Sequence, residues 1–207
     1  MFECLELTVE RNGLRLFQPF SLAIAPGEVW TLEGPSGLGK STLLSALIGP
    51  CPGVSLCGEV RLSGRAWSEI PISAKRAQMV FQEPSLFPHL SIGANIALGL
   101  EGLTRQGKVE RVRQLLAALG LEYPLEHPAT ALSRGEAMRV QIARAIAPEP
   151  QVLFLDEAFS ALDPTRREAV RAYVFQWVRE SGAMCLQVTH SGEDRADERR
   201  VECLMPV

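Results

Sequence analysis

The sequence has no long apolar stretch. Its tightest aliphatic runs are short, such as Val152-Leu153-Phe154-Leu155, and none approaches the ~20 apolar residues that a membrane-spanning helix needs. By itself the chain is therefore not expected to form a pore. The opening MFECLELTVE places Glu3 and Glu6 where a secretory leader carries lysine or arginine and then an apolar run, so a cytosolic protein is the expectation. The cysteines Cys4, Cys51, Cys57, Cys185 and Cys203 are odd in number and contain no C-x-x-C pair. That is the pattern of free thiols and excludes a disulfide framework or a zinc site. There is no excess of positive charge either. With 21 Lys and Arg against 24 Asp and Glu, the net charge is −3, which gives no bulk electrostatic case for binding nucleic acid. Internal repeats and low-complexity tracts are missing. What is present is a chain of 207 residues, 46% hydrophobic and 22% charged, enough for one domain with a real core and a small inserted subdomain.

Coarse patterning supports alternating strands and helices. ECLELTVE, a turn at Asn12-Gly13, and LRLFQPFSLAI read as strands, and Pro26-Gly27 marks another turn. Residues 28–33 form a short β-rich run that enters glycine-rich sequence, and 41–49 read as helix. From 82 to about 131 the character becomes helical. Val109, Val112, Leu115, Leu116 and Leu119 recur at helical spacing, and Gly120 fits a C-terminal stop. Residues 133–147 read as a second helix with Met138, Ile142 and Ile146 on one face, ended by Pro148 and Pro150. Residues 152–155 look like a buried parallel strand. Asp163-Pro164 predicts an N-cap followed by proline at the first helical position, opening a helix to about Glu180. Cys185-Leu186-Gln187-Val188-Thr189 reads as the last strand. The fold class is α/β with a mostly parallel sheet, an N-terminal antiparallel β subdomain and an inserted helical subdomain.

Two segments carry chemistry. Gly34-Pro35-Ser36-Gly37-Leu38-Gly39-Lys40-Ser41 matches G-x-x-x-x-G-K-[ST] in full, with a strand before it and a helix after it. Glycines let backbone N–H groups turn inward around a β-phosphate, and the helix N-terminus adds partial positive charge. Lys40 would reach the β- and γ-phosphates. Ser41 would offer its hydroxyl to Mg²⁺, and Thr42 completes the predicted nucleotide site. Second, the apolar strand 152–155 ends in Asp156-Glu157. Adjacent residues at a strand end point differently, so the acids can divide roles: Asp156 toward Mg²⁺, Glu157 as general base on the attacking water.

The order of further motifs adds a family. Gln82 follows Met79-Val80-Phe81 and precedes EPSLFPHLSIGANIALGL. Leu132-Ser133-Arg134-Gly135-Glu136 stands before a helix, Ser160-Ala161-Leu162-Asp163 follows the two acids, and His190 ends the last strand. Together these resemble the nucleotide-binding subunits of ABC transporters over nearly the whole chain. The run Phe81-Gln82 with Leu86-Phe87-Pro88-His89-Leu90 is similar to bacterial importer ATPases. The resemblance implies a single ABC ATPase domain over 1–207, with about 83–150 as the inserted helical and signature subdomain. It also implies ATP and Mg²⁺, a head-to-tail dimer, a separate integral membrane permease, indirectly a substrate-binding protein, and a peripheral place on the cytoplasmic membrane face. Ser133, Arg134, Gly135, Glu136 and Asp163 would act in trans, with Ser133 and the Gly135 backbone on the partner's γ-phosphate. Gln82 would sense Mg²⁺ and the attacking water. His190 would hold the γ-phosphate and orient Glu157. His89 and His127 have no such support and read as structural or exposed.

The chain departs from that pattern. The family has glycine at the position of Arg134 and glutamine at Glu136. Arg134 is expected either to reach phosphate as a fork or, if its turn needs positive φ or close backbone approach, to strain it and point to solvent; the second is the expectation. The adenine-stacking aromatic is missing near Arg11-Asn12, leaving Arg11 or, with a shorter hairpin, Phe17. Ala158 stands where proline is usual. After His190 only SGEDRADERRVECLMPV remains, too short for a regulatory domain. Three other functions compete. A soluble ABC-type ATPase acting on nucleic acid or ribosomes is opposed by the acidic balance and the single cassette. A low-turnover nucleotide-dependent clamp is opposed by the presence of Glu157 and His190. A GTPase is opposed by the lack of N-K-x-D, since Asn12 and Asn95 are the only asparagines.

Overall fold

In the computed structural model, which describes all residues from Met1 to Val207, the strands form two sheets. The first is antiparallel, in the order β2 (Leu14–Arg15), β1 (Phe2–Arg11), β5 (Val54–Leu62), β6 (Arg65–Ala66), with β3 (Phe20–Ile24) also on β1. The second runs β10 (Val201–Cys203), β4 (Val29–Glu33), β9 (Met184–Val188), β8 (Val152–Asp156), β7 (Ala77–Val80). Its β10–β4, β4–β9 and β8–β9 pairs are parallel. The helices are α1 (Lys40–Ile48), α2 (Ile92–Ala97), α3 (Arg105–Ala118), α4 (Arg134–Ile146) and α5 (Pro164–Ser181).

Local chemistry explains these elements. Asn12 and Gly13 have φ of 52° and 80°, the positive pair that a two-residue hairpin turn requires, and they join β1 to β2 through Arg11↔Leu14. Every residue of β8 and β9 is buried, as in parallel strands covered on both faces. Asp163 Oδ1 accepts the Arg166 N–H at 3.1 Å, capping α5 as its sequence predicts. Gly120, with φ 64°, stops α3, and the carbonyls just past its end are held from α4: Arg139 Nη1 donates to the oxygens of Leu119 and Gly120 at 2.8 and 2.6 Å.

The chain divides into two compact units. One comprises Met1–Met79, Gln151–Glu157 and Val178–Val207; the other comprises Val80–Pro150 and Ala158–Trp177. The core of the first centres on Phe2, whose ring meets Trp67 and Phe154 edge-on at 5.3 and 5.9 Å. In the second, α4 buries Met138, Ile142 and Ile146, the face that their spacing predicts.

Some elements differ from the sequence reading. The run from Leu14 to Ile24 is not one strand, because Leu16 to Pro19 lie outside β2 and β3 and Pro19 has no N–H for a ladder. Strands β5, β7 and β10 carry weak signals. β7 and β10 are only four and three residues long, and Gly58 interrupts the alternation of β5. At that point β1 and β5 shift register between Leu5 and Thr8. Glu6 has φ 47° and Gly58 φ 102°, and a Cβ on Gly58 would lie 2.3 Å from the Glu6 carbonyl oxygen. This is a bulge that only glycine fits. Gly58→Ala should therefore lower unfolding stability by about 2 kcal/mol or more, above the centre of about 1 kcal/mol for point substitutions, as measured by urea denaturation. An unchanged midpoint would show that the bulge relaxes freely.

Candidate functional site

The glycine-rich loop leaves β4 at Glu33 and enters α1 at Lys40. Its tip, Pro35, Ser36 and Gly37, is exposed, while Gly34, Leu38, Gly39 and Thr42 are half-buried. Gly39 is the α1 N-cap with φ 100°, and it supplies no side-chain cap. That positive φ calls for glycine at residue 39, and a Cβ there would also displace Leu16 Cδ1, 2.4 Å away. The first turn of α1 carries no acid, which leaves its N–H groups and positive end for an anion. Lys40 is only 4% exposed, yet charged groups are rarely buried without partners. Its Nζ donates to the Gly34 and Pro35 carbonyls at 2.8 and 2.9 Å. Burial pushes its pKa down, while Glu157 and Asp156 oppose that shift.

Asp156 ends β8 and is 4% exposed. Ser41 Oγ donates to its Oδ1 at 2.8 Å, which joins the helix start to the strand end. Burial raises the Asp156 pKa above the ordinary carboxylate range. The Ser41 hydrogen bond opposes this, Glu157 adds to it, and Lys40 and His190 oppose it further. Next along the chain, Glu157 adopts φ 47°, a left-handed conformation that costs a non-glycine residue about 1–3 kcal/mol. Its N–H donates to Val188 O at 3.0 Å, and its Oε1 lies 3.1 Å from His190 Nε2. Lys40, Ser41, Asp156, Glu157 and His190 thus converge within the first unit.

The donor set suits Mg²⁺. One hydroxyl and one carboxylate fit a hard cation that keeps water and phosphate oxygens as its other ligands. No group of three or more His, Cys, Asp or Glu could hold a metal alone.

The second unit holds the other predicted residues. Gln82 is exposed just beyond β7, and Asp163 is exposed ahead of α5. Ser133 is the α4 N-cap, and with Glu136 it makes a full capping box. The Glu136 carboxylate accepts the Ser133 N–H at 2.9 Å, the Ser133 hydroxyl at 2.7 Å and the Tyr123 hydroxyl at 2.7 Å. These bonds, led by the Ser133 hydroxyl, hold its pKa down at about 2. Gly135 is half-buried, and a Cβ on it would sit 3.4 Å from Ala161 O.

A family model described as "ABC transporter" matches residues 17–160. The chain belongs to the ABC transporter family. Among its relatives is the spermidine/putrescine import ATP-binding protein PotA of Pseudomonas fluorescens, 43% identical over 84% of this chain and 48% of that protein. The thiamine import ATP-binding protein ThiQ of Salmonella choleraesuis is 40% identical over 86% of this chain and 75% of that protein. The chain spans about half the length of PotA and of the ferric-ion import ATP-binding protein FbpC of Streptomyces avermitilis, the latter 38% identical over 88% of this chain and 53% of that protein. In structure it is similar to the ATP-binding cassette MJ0796, solved as a dimer in a post-hydrolysis state with ADP and Pi, at a TM-score of 0.83 and 25% identity. That match covers 99% of this chain and 94% of the other.

Within this ABC cassette two expectations fail. Phe17 is fully buried, packed on Phe20 at 6.1 Å and bridged to Pro206, so it cannot stack a base. Arg11 ends β1 exposed. Arg134 is not in a positive-φ turn. Capped by Ser133, it is the first residue of α4, so backbone strain does not apply, while its exposed side chain pairs with an exposed Glu83, Nη2 to Oε1 at 2.6 Å. Sequence reasoning also missed the capping box, although S-x-x-E ahead of a helix announces it.

The raised pKa of Asp156 fixes a sign. At a pH below the unfolded-state value both states hold the proton. Between the unfolded and folded values the folded state holds more, so stability falls as pH rises through that window. Asp156→Asn should remove this slope, and at pH 7 the nucleotide-free variant should be at least as stable as the parent. Urea denaturation of both from pH 4 to 7 tests this; a stability difference turning against the variant as pH rises would contradict it.

Proposed function

We propose that this chain is the ATP-hydrolysing, energy-coupling subunit of a small-solute importer, working as a head-to-tail pair beneath a separate permease. The observation that carries the reading is the His190–Glu157 contact of 3.1 Å in the unit that also holds buried Lys40 and the Ser41–Asp156 pair. An anion-binding loop alone supports nucleotide binding; a carboxylate held beside it by an imidazole supports hydrolysis.

The chemistry follows from these placements. Lys40 exchanges its two backbone carbonyls for β- and γ-phosphate oxygens, a charge-assisted trade in a site shielded from water. The Ser41 hydroxyl and Asp156 would hold Mg²⁺, which when bound would supply positive charge to offset that on those oxygens. Glu157 accepts a proton from water as the water oxygen bonds the γ-phosphorus and the bond to the ADP oxygen breaks. His190 keeps the Glu157 carboxylate aimed and faces the γ-phosphate. Roles for Gln82, and in trans for Ser133, Arg134, Gly135, Glu136 and Asp163, follow from the family resemblance.

The relatives' names span a polyamine, ferric ions, thiamine and sn-glycerol-3-phosphate at 38–43% identity. Similarity at one level across unlike cargoes supports a reading in which cargo choice lies outside this chain. No helix is long and apolar enough to cross a membrane, and a peripheral place under a permease accords with that.

We assign the permease contact to residues 82–90, at the entry to the helical segment 83–150. Three buried or half-buried polar side chains pin this segment. Gln141 Nε2 donates to Phe81 O at 2.9 Å, Arg144 Nη2 donates to Ser85 O at 2.8 Å, and Asn95 accepts the Phe87 N–H at 2.8 Å. Yet Phe87 stays 47% exposed, with Arg144 over its ring at 5.6 Å. A rigid loop that presents an aromatic ring to solvent suits a partner surface.

Glu157→Gln should bind ATP normally and hydrolyse it about 10²–10⁴-fold more slowly, accumulating as a dimer in light scattering with Mg-ATP. Hydrolysis at the parental rate would assign the base elsewhere. Phe87→Asp should leave the ATPase of the isolated chain within about twofold, since it lies outside the hydrolytic cluster, and abolish transport in vesicles carrying the cognate permease. Retained transport would refute the docking role.

A further inference from the structure

His190 stands beyond the ladder that makes this site. The last registered pairs of β9 are Leu32↔Val188 and Asp156↔Val188, so Thr189 and His190 leave the sheet with no strand partner. Successive side chains in extended backbone face opposite ways. Thr189 turns inward and is buried, whereas the His190 side chain is 42% exposed and turned to Glu157. An imidazole on such an overhang needs a separate support.

The turn that follows supplies one. Thr189 Oγ1 accepts the Ser191 N–H at 3.0 Å and donates to Asp194 Oδ2 at 3.0 Å. The Asp194 N–H in turn donates to Ser191 O at 3.1 Å. The residues on both sides of His190 are therefore tied to one hydroxyl, and that hydroxyl is tied to one carboxylate. Asp194 is only 3% exposed, an unusual place for a carboxylate, because burying one is costly without hydrogen bonds. Its carbonyl accepts Gln187 Nε2 at 2.8 Å, and Gln187 Nε2 also donates to Thr31 Oγ1 of β4 at 2.9 Å. The next residue, Arg195, lays Nε and Nη2 on the two oxygens of Glu33 at 2.6 and 2.8 Å. Glu33 is the residue immediately before Gly34, so the turn after His190 is moored to the base of the phosphate loop.

We propose that Asp194 is a positioning residue for hydrolysis: through Thr189 it fixes the His190 turn and so the reach of the imidazole to Glu157. The proposal rests on the role given above to His190. It separates the Thr189–Asp194 link from ordinary turn stability, because its effect must pass through His190.

The test uses the full chain, with steady-state Mg-ATP hydrolysis, ATP binding by calorimetry and a thermal melt for each variant. Thr189→Val and Asp194→Ala should each lower kcat about tenfold or more, as expected for a misplaced group, with KM and ATP affinity within about twofold. Thr189→Ser and Asp194→Asn, which keep a hydroxyl and an acceptor oxygen, should recover to within about threefold. The double variant His190→Ala with Thr189→Val should be no slower than His190→Ala alone, since removing one link in a chain twice adds nothing. A multiplicative loss in the double variant overturns the proposal, as does loss of ATP affinity in step with kcat. If one severe variant fails to melt cooperatively, the other decides. His190→Ala at the parental rate would overturn the role of His190 and the brace with it. A slow His190→Ala beside a fully active Thr189→Val would overturn the brace alone.

Discussion

Two opposite charges, each almost sealed from water, set the terms for this fold. The Lys40 ammonium and the Asp156 carboxylate are each 4% exposed, and each biases the other toward its charged form against the effect of burial. Such groups persist only when hydrogen-bonded. Lys40 has the Gly34 and Pro35 carbonyls, and Asp156 has the Ser41 hydroxyl. A well-packed apolar pair of similar size is often neutral or stabilising by comparison, so folding alone does not account for these residues. The apolar parallel strands β4, β8 and β9 build the dry surroundings, and the glycine loop folds its carbonyls inward to reach the ammonium.

A second constraint sits one residue further on. Glu157 is held at positive φ, a strained backbone that persists because the N–H to Val188 O bond and the His190 contact define it from two sides. The Glu157 carboxylate meets His190 while its sequence neighbour Asp156 takes the Ser41 hydroxyl. One strand end thus presents two carboxylates with different partners, as the proposed cation ligand and base require, and the support of His190 by the turn at 191–195 belongs to the same geometry.

How much of this was legible depended on whether the signal was local. The phosphate loop, the acids ending β8, the Asp163 cap and the buried face of α4 are each written in one contiguous segment, and the structure has them where the residues point. Phe17 is the opposite case. With a shorter hairpin it is a candidate base platform, but its inward side is decided by Phe20 and by Pro206, far away in sequence. Asp194 carries no sequence signal at all within the charged run GEDRADERR. Its burial arises from Thr189, Gln187 and the mooring of Arg195 on Glu33. Strand β5 was hidden for another reason: Gly58 breaks the period-two pattern where the bulge demands it.

Arg134 is a case where a local signal was present and outweighed. As a departure from glycine it suggested a strained turn, whereas Ser133 and Glu136 write a capping box around it, and a capped helix needs no positive φ at its first residue. The same box changes the electrostatics of the α4 N-terminus. Glu136, ionised down to about pH 2, opposes the helix dipole from within the first turn and engages the Ser133 hydroxyl. Alone it would repel a phosphate brought to this helix end in the proposed dimer. Arg134, two residues earlier, carries the opposite charge. Where the family pattern has neutral glycine and glutamine, this chain has a cation and an anion that sum to the same net charge. The two departures are best read together. Glu136 stabilises the helix start through the capping box, and Arg134 sets a compensating positive charge beside it, held by Glu83 in an exposed pair of the kind worth about 0–1 kcal/mol.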